Sequence, residues 1–177
     1  EFTAAIRHEV TAPLNDGELE QVSGQIGSQS QLLDMLSQYG SIRLYCDTLS
    51  DQSAYYIAHP KEWGELYRDF SMWLEDLEEE EREELLPAWI GDAIVIGEVP
   101  QSGNYYLYVT KGDNKGKVFQ FEHDGFEFIQ MGNDLYSFID KISTVTEKLV
   151  SDILSHTRYS DGKTDIQWLA QRYEFDK

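Results

Sequence analysis

The sequence predicts an α+β protein built on a mostly antiparallel sheet of about five to six strands flanked by helices. Two observations carry that prediction. Between Asp92 and Met131 the chain is a succession of short strand-like segments joined by turn residues, which is the pattern of an antiparallel meander. On either side of it, the segments from Trp63 to Leu77 and from Leu135 onward repeat apolar residues at helical spacing, as helices that cover one face of a sheet do.

The elements follow in order. Residues 1–15 have no clear period and read as an N-terminal arm. Its first two residues, Glu1 and Phe2, read as a cloning remnant with the native start upstream, because neither an initiator Met nor a charged-then-apolar leader pattern is present. Asn15 or Asp16 then caps a helix, and Leu19, Val22, Ile26, Leu32, Leu33, Leu36 and Tyr39 divide into two short helices broken near Gly24 and Gly27 and ended by Gly40. Ser41–Thr48 and Ser53–His59 alternate as strands, with Leu49–Gln52 supplying the turn of a hairpin.

Pro60 stands where a helix can begin, and Trp63, Leu66, Tyr67, Phe70, Trp73, Leu74 and Leu77 form its buried stripe. After Leu77 the stripe stops until Leu85. The intervening carboxylates therefore read as the solvated end of that helix, or as a frayed loop before Pro87, with Glu78 and Arg82 placed to pair across one turn. Asp92–Val99, Gly103–Gly112, Gly116–His123 and Phe126–Met131 are the meander strands. Asp124-Gly125 between the last two is a strong hairpin signal, predicting a type I′ turn with φ > 0 at both residues. Asp134 caps a long helix whose stripe runs Leu135, Phe138, Ile139, Ile142, Val145, Leu149, Val150, Ile153 and Leu154. Ser160–Thr164 breaks the chain before a last helical piece with Ile166, Trp168, Leu169 and Tyr173, so residues 149–177 read as a C-terminal helical extension.

Composition bounds the function. With 177 residues, 41% hydrophobic, the chain can bury a core without disulfide staples, and no apolar run approaches the roughly 18 residues of a membrane span. Cys46 is the only cysteine, which excludes an intrachain disulfide, argues against a thiolate zinc site and fits the cytoplasm. The net charge is −19; Glu75–Glu84, with eight acids and one arginine, accounts for −7 of it and leaves −12 elsewhere. A field of that sign opposes nucleic acid and anionic membrane and accelerates encounter with a basic protein. Acidity that serves solubility alone is the plainer alternative.

Motifs for chemistry are absent. His8, His59, His123 and His156 stand in no metal-binding spacing, Cys46 has no neighbouring base, and Gly112–Lys117 joins two strands instead of opening a helix, so it is a hairpin loop and not a phosphate or calcium loop. No catalytic, metal or cofactor residue is assigned. The one enzymatic alternative is a carboxylate hydrolase or a His123–Asp124 base, against the simpler reading of a hairpin-end histidine beside a turn aspartate. Aromatic strands are more informative. Alternation puts Tyr105, Leu107 and Val109 on one sheet face and Tyr106, Tyr108 and Thr110 on the other, with Val118, Gln120 and Glu122 opposite Phe119, Phe121 and His123 on the next strand. A face of tyrosines mixed with polar groups is either a binding surface or the floor beneath a helix.

The order of parts, "LLPAWIGDAIVIGEV", the "SGNYYLYV" strand, "GKVFQFEHDGFEF" and the "NDLYSFIDKI" helix, resembles the SUKH superfamily from about Asp16 to Ile142. This superfamily contains a yeast cell-wall synthesis regulator, the SecY-interacting Syd protein and many bacterial immunity proteins. The resemblance implies a SUKH-like domain over residues 16–148, no enzymatic activity, and a role as an immunity protein that docks on or near the active site of a cognate toxin, often a nuclease or a deaminase. Nuclease toxins are basic where they hold phosphates, so an acidic protein covering that site would mimic the substrate's charge. The alternative within this class is an interaction scaffold or regulator with no toxin. The partner-binding residues expected are Glu75, Asp76, Glu79, Glu80 and Glu83, then Tyr106, Tyr108 and Glu122 across the sheet, whereas Trp89, Gly91 and Gly103 are assigned to the fold.

Overall fold

The computed structural model describes residues 6–47 and 53–144. One sheet of seven strands runs through it in chain order, and every neighbouring pair is antiparallel. The strands are β1 (Ile6–Val10), β2 (Ile42–Asp47), β3 (Tyr55–Ile57), β4 (Ala93–Val99), β5 (Asn104–Val109), β6 (Val118–Glu122) and β7 (Glu127–Gly132). Helices α1 (Asp16–Ile26) and α2 (Gln31–Leu36) lie between β1 and β2. Helices α3 (Trp63–Glu75) and α4 (Glu79–Leu85) lie between β3 and β4, and α5 (Leu135–Ser143) follows β7.

The α+β class and the meander are as predicted, but the strand count is one higher. Ile6–Val10, placed in the N-terminal arm, is an edge strand paired with β2 from Ile6↔Asp47 to Val10↔Ile42. The pairing is bulged: one residue of β1, His8, lies opposite Leu44 and Tyr45. Tyr45 takes a left-handed φ of 55°, and its backbone N–H donates to His8 Nδ1 at 3.1 Å. Its hydroxyl donates to the Ser143 carbonyl at 2.7 Å, which satisfies one of the orphan acceptors at the end of α5.

Caps set the helix limits. The Asn15 side chain accepts from the Glu18 backbone and Glu18 reaches back to the Asn15 N–H, so Asn15 is the cap of α1 and Gly27, at φ 88°, closes it. Ser30 caps α2 through Leu32 N–H. Asp134 caps α5 as predicted, yet that helix stops at Ser143, where Thr144 is extended; the continuation of its stripe from Val145 and the C-terminal extension lie outside the described residues. The turn at the tip of β6–β7 also differs. The left-handed residue is Phe126 (φ 50°), not Asp124 or Gly125, and Phe126 N–H closes onto the His123 carbonyl at 3.3 Å. The four-residue link leaves Phe126 anchored on Phe121, with ring centroids 5.0 Å apart, which offsets the backbone strain.

Helices cover both faces of the central strands. On one face Phe70 of α3 meets Tyr105 (5.8 Å) and Phe121 (5.3 Å), and Trp89 stacks on Phe119 at 4.1 Å. On the other, Phe138 of α5 meets Tyr106 at 4.8 Å, and the Tyr108 hydroxyl reaches Ser30 at 3.0 Å. Burying a ring such as Phe70 is worth about 1.5–3 kcal/mol, so this double cover is the main source of the core's cohesion.

Candidate functional site

The acidic stretch is not the end of one long helix. α3 ends at Glu75 with Asp76 as its C-cap, the chain turns at Leu77 and Glu78, and α4 starts anew at Glu79. The break is held from both sides. Glu78 N–H donates to the Glu81 carboxylate at 2.9 Å, while Arg82 Nε and a terminal nitrogen donate to the carbonyls of Leu77 (3.0 Å) and Leu74 (2.5 Å). Arg82 therefore caps α3 and does not pair with Glu78 as the spacing predicts. Glu79, Glu80 and Glu81 fill the first turn of α4, where the helix dipole favours negative charge.

Of the expected partner-binding residues, Glu75, Asp76, Glu79, Glu80 and Glu83 are exposed on α3 and α4. Tyr106 and Tyr108 are not available: they are 0% and 3% exposed beneath α5 and α2 and belong to the core. Alternation along β5 places them together correctly, but helices from distant parts of the chain cover that face. Glu122 is half-buried, accepts from Gln120 Nε2 at 3.0 Å, and lies on the sheet face opposite to Phe121, so the sheet separates it from α3. It does not join the acidic group.

What the structure adds is a groove. Asp69, Met72, Trp73 and Asp76 share one face of α3, at i, i+3, i+4 and i+7, and with Gly103 and Tyr105 they line an open groove of about 560 Å³. The adjoining flank of α3, with Trp63, Leu66 and Phe70, is buried against the sheet. Gly103 makes the close approach possible: it sits at φ 75°, and a Cβ there would lie 2.9 Å from Trp73 Cζ2. The indole also rests on His123, with ring centroids 4.8 Å apart. His123 is fixed in turn, because Asn104 Oδ1 takes both its backbone N–H (3.1 Å) and its Nδ1 (2.9 Å), and Nε2 meets Asp124 at 3.0 Å. Asp124 is 95% exposed at the hairpin tip, so this pair stands at a turn and works as a brace under the indole.

The groove is electrically uncompensated. Asp69, Asp76 and Glu98 have no ion-pair partner among the described residues. Burial, then the charges of Asp69 and Glu62, raises the Glu98 carboxyl above its ordinary range. Burial, then Asp69 and Glu98, raises the Tyr105 hydroxyl. Nearby, burial and its bonds to Glu62 (2.7 and 2.8 Å) push the Tyr56 hydroxyl up to about 12. Tyr67, Met72, Trp73 and Leu85 are four of the eight exposed large hydrophobics among the described residues, and all four lie on α3 and α4, with Met72 and Trp73 in the groove itself. In sequence Trp73 reads as core, and the signal that could have marked the groove is the pair of aspartates flanking Met72-Trp73 at helical spacing.

No group of three or more His, Cys, Asp or Glu among the described residues is placed to hold a metal ion, and no described helix is long and apolar enough to cross a membrane. No known protein-family model matches the chain, and no curated protein does.

Proposed function

We propose that the chain is a non-enzymatic binding protein for a basic protein partner, an immunity protein of the SUKH type that neutralises a cognate toxin domain in the cytoplasm. The observation that carries this reading is the α3–α4 surface, where Met72 and Trp73 are exposed beside the carboxylates of Asp69 and Asp76 and the acidic first turn of α4 follows directly. Apolar anchors within a charged rim are the anatomy of an interface, and the carboxylates supply steering towards Lys and Arg. Charge of this density repels phosphate backbones, which favours a protein partner over nucleic acid. The seven-stranded antiparallel sheet with helices on both faces is compatible with the SUKH-like order of parts.

Co-purification with the product of the gene directly upstream tests the partner. The association rate of that complex should fall steeply between low and high salt, and a rate that stays flat would remove charge steering from the account. A partner with no toxic activity would turn the reading towards a scaffold.

A further inference from the structure

We infer that the groove between α3 and the start of β5 is an anchor for one arginine side chain of the partner, whose guanidinium stacks on Trp73 between the carboxylates of Asp69 and Asp76. The inference deepens the basic-partner reading and rests on it.

Three features select this occupant. Trp73 lies one turn from Asp69 on one side and from Asp76 on the other, so a planar cation over the indole lies within reach of both carboxylates. The indole is held by His123 and Gly103 while 39% of the residue stays exposed, which leaves a fixed aromatic surface towards the groove. Met72 provides an apolar wall for an aliphatic stem. No cation of the described residues is paired with the two aspartates or with Glu98, which leaves their charge to an incoming one. Arginine fits better than lysine, because its guanidinium stacks on an aromatic face and carries donors in several directions, whereas an ammonium is a compact and strongly hydrated point charge.

The test uses the whole chain with hexa-arginine and hexalysine as probes at about 0.15 M salt, read by amide and indole NMR. The anchor predicts that hexa-arginine shifts the Trp73 indole resonance and the amides of residues 69–76 and 103–105, and binds several-fold more tightly than hexalysine. Asp69→Asn with Asp76→Asn should weaken hexa-arginine by about tenfold. Glu80→Gln with Glu83→Gln removes the same charge from α4 and should weaken it less than about threefold. Amide spectra of both double variants verify that the fold is kept. Equal losses in the two pairs, or equal affinity for the two peptides, would overturn the anchor while leaving a diffuse acidic interface intact. Absence of hexa-arginine binding would overturn it as well, and the salt-dependent association with the upstream gene product then decides separately whether the basic-partner reading stands.

Discussion

Tyr108 gives the sharpest separation between a contact residue and a core residue. Its hydroxyl lies 3.0 Å from Ser30 Oγ, with the two residues 3% and 4% exposed, and Ser30 also caps α2 by accepting from Leu32 N–H at 3.2 Å. Tyr108→Phe removes one buried hydrogen bond and leaves Ser30 only its cap, which should cost about 1–2 kcal/mol. Ser30→Ala removes that bond and the cap together, for about 2–3 kcal/mol. The double variant should then be less destabilised than the sum of the two, by about 1 kcal/mol, because the shared bond can be lost only once. Urea denaturation measures all four corners of the cycle, and thermal midpoints should fall by about 2–4 °C per kcal/mol for a chain of this size. Partner affinity should be the same at every corner. Strictly additive losses would refute the bond's energetic role, and a Tyr108→Phe protein of unchanged stability but weakened binding would refute its assignment to the core.

Glu98→Gln tests the buried acid. A carboxyl raised by burial favours the protonated folded state, a contribution fully present below the ordinary value of 4.5 and lost as pH rises through the elevated folded value. The neutral amide escapes that loss, so the variant should be the more stable protein at about pH 7 and converge with the parent below about pH 4 in urea midpoints; the reverse order at neutral pH would show that the Glu98 charge is compensated. Gly97→Ala should cost about 3 kcal/mol or more or prevent folding, since its Cβ would lie 2.1 Å from the Tyr56 carbonyl oxygen, and soluble yield with a denaturation midpoint measures it. Arg82→Ala should change global stability by less than about 1 kcal/mol yet speed amide exchange through residues 77–86, because the arginine ties α4 to the last carbonyls of α3.

Much of the fold is legible from local pattern. Period-two alternation locates β2 to β7, and the caps Asn15 and Asp134 mark helix starts because their side chains bond within three residues of themselves. β1 escapes because its evidence is not local: the bonds that make Ile6–Val10 a strand come from Ile42–Asp47, and an edge strand needs little apolar character of its own. The same limit explains the tyrosines. Alternation separates Tyr106 and Tyr108 from Tyr105 correctly, but the covering of both faces depends on α2, α3 and α5, which no single strand records. At the candidate site the exposed carboxylates are plain from composition, whereas the groove is not. It exists because Gly103 lets β5 begin against the Trp73 indole, a tertiary contact across 30 residues of chain. The helix break at Leu77 and Glu78 is likewise a matter of Arg82 folding back, in a stretch whose charge alone fits a helix or a loop.

The connection from β3 to β4 has a consequence for how such a protein can diversify. The chain leaves the sheet after Ile57 and re-enters at a strand whose Gly97 is the direct partner of that residue, so both ends of the excursion are already fastened together. Lengthening or shortening the exposed arm around α4 then alters only a closed loop, and even doubling such a loop costs about 0.6 kcal/mol in closure entropy. Strand register and core would be untouched by the change. Insertions, deletions and charge swaps between Leu77 and Trp89 are thus the cheapest route by which descendants of this scaffold could acquire new recognition.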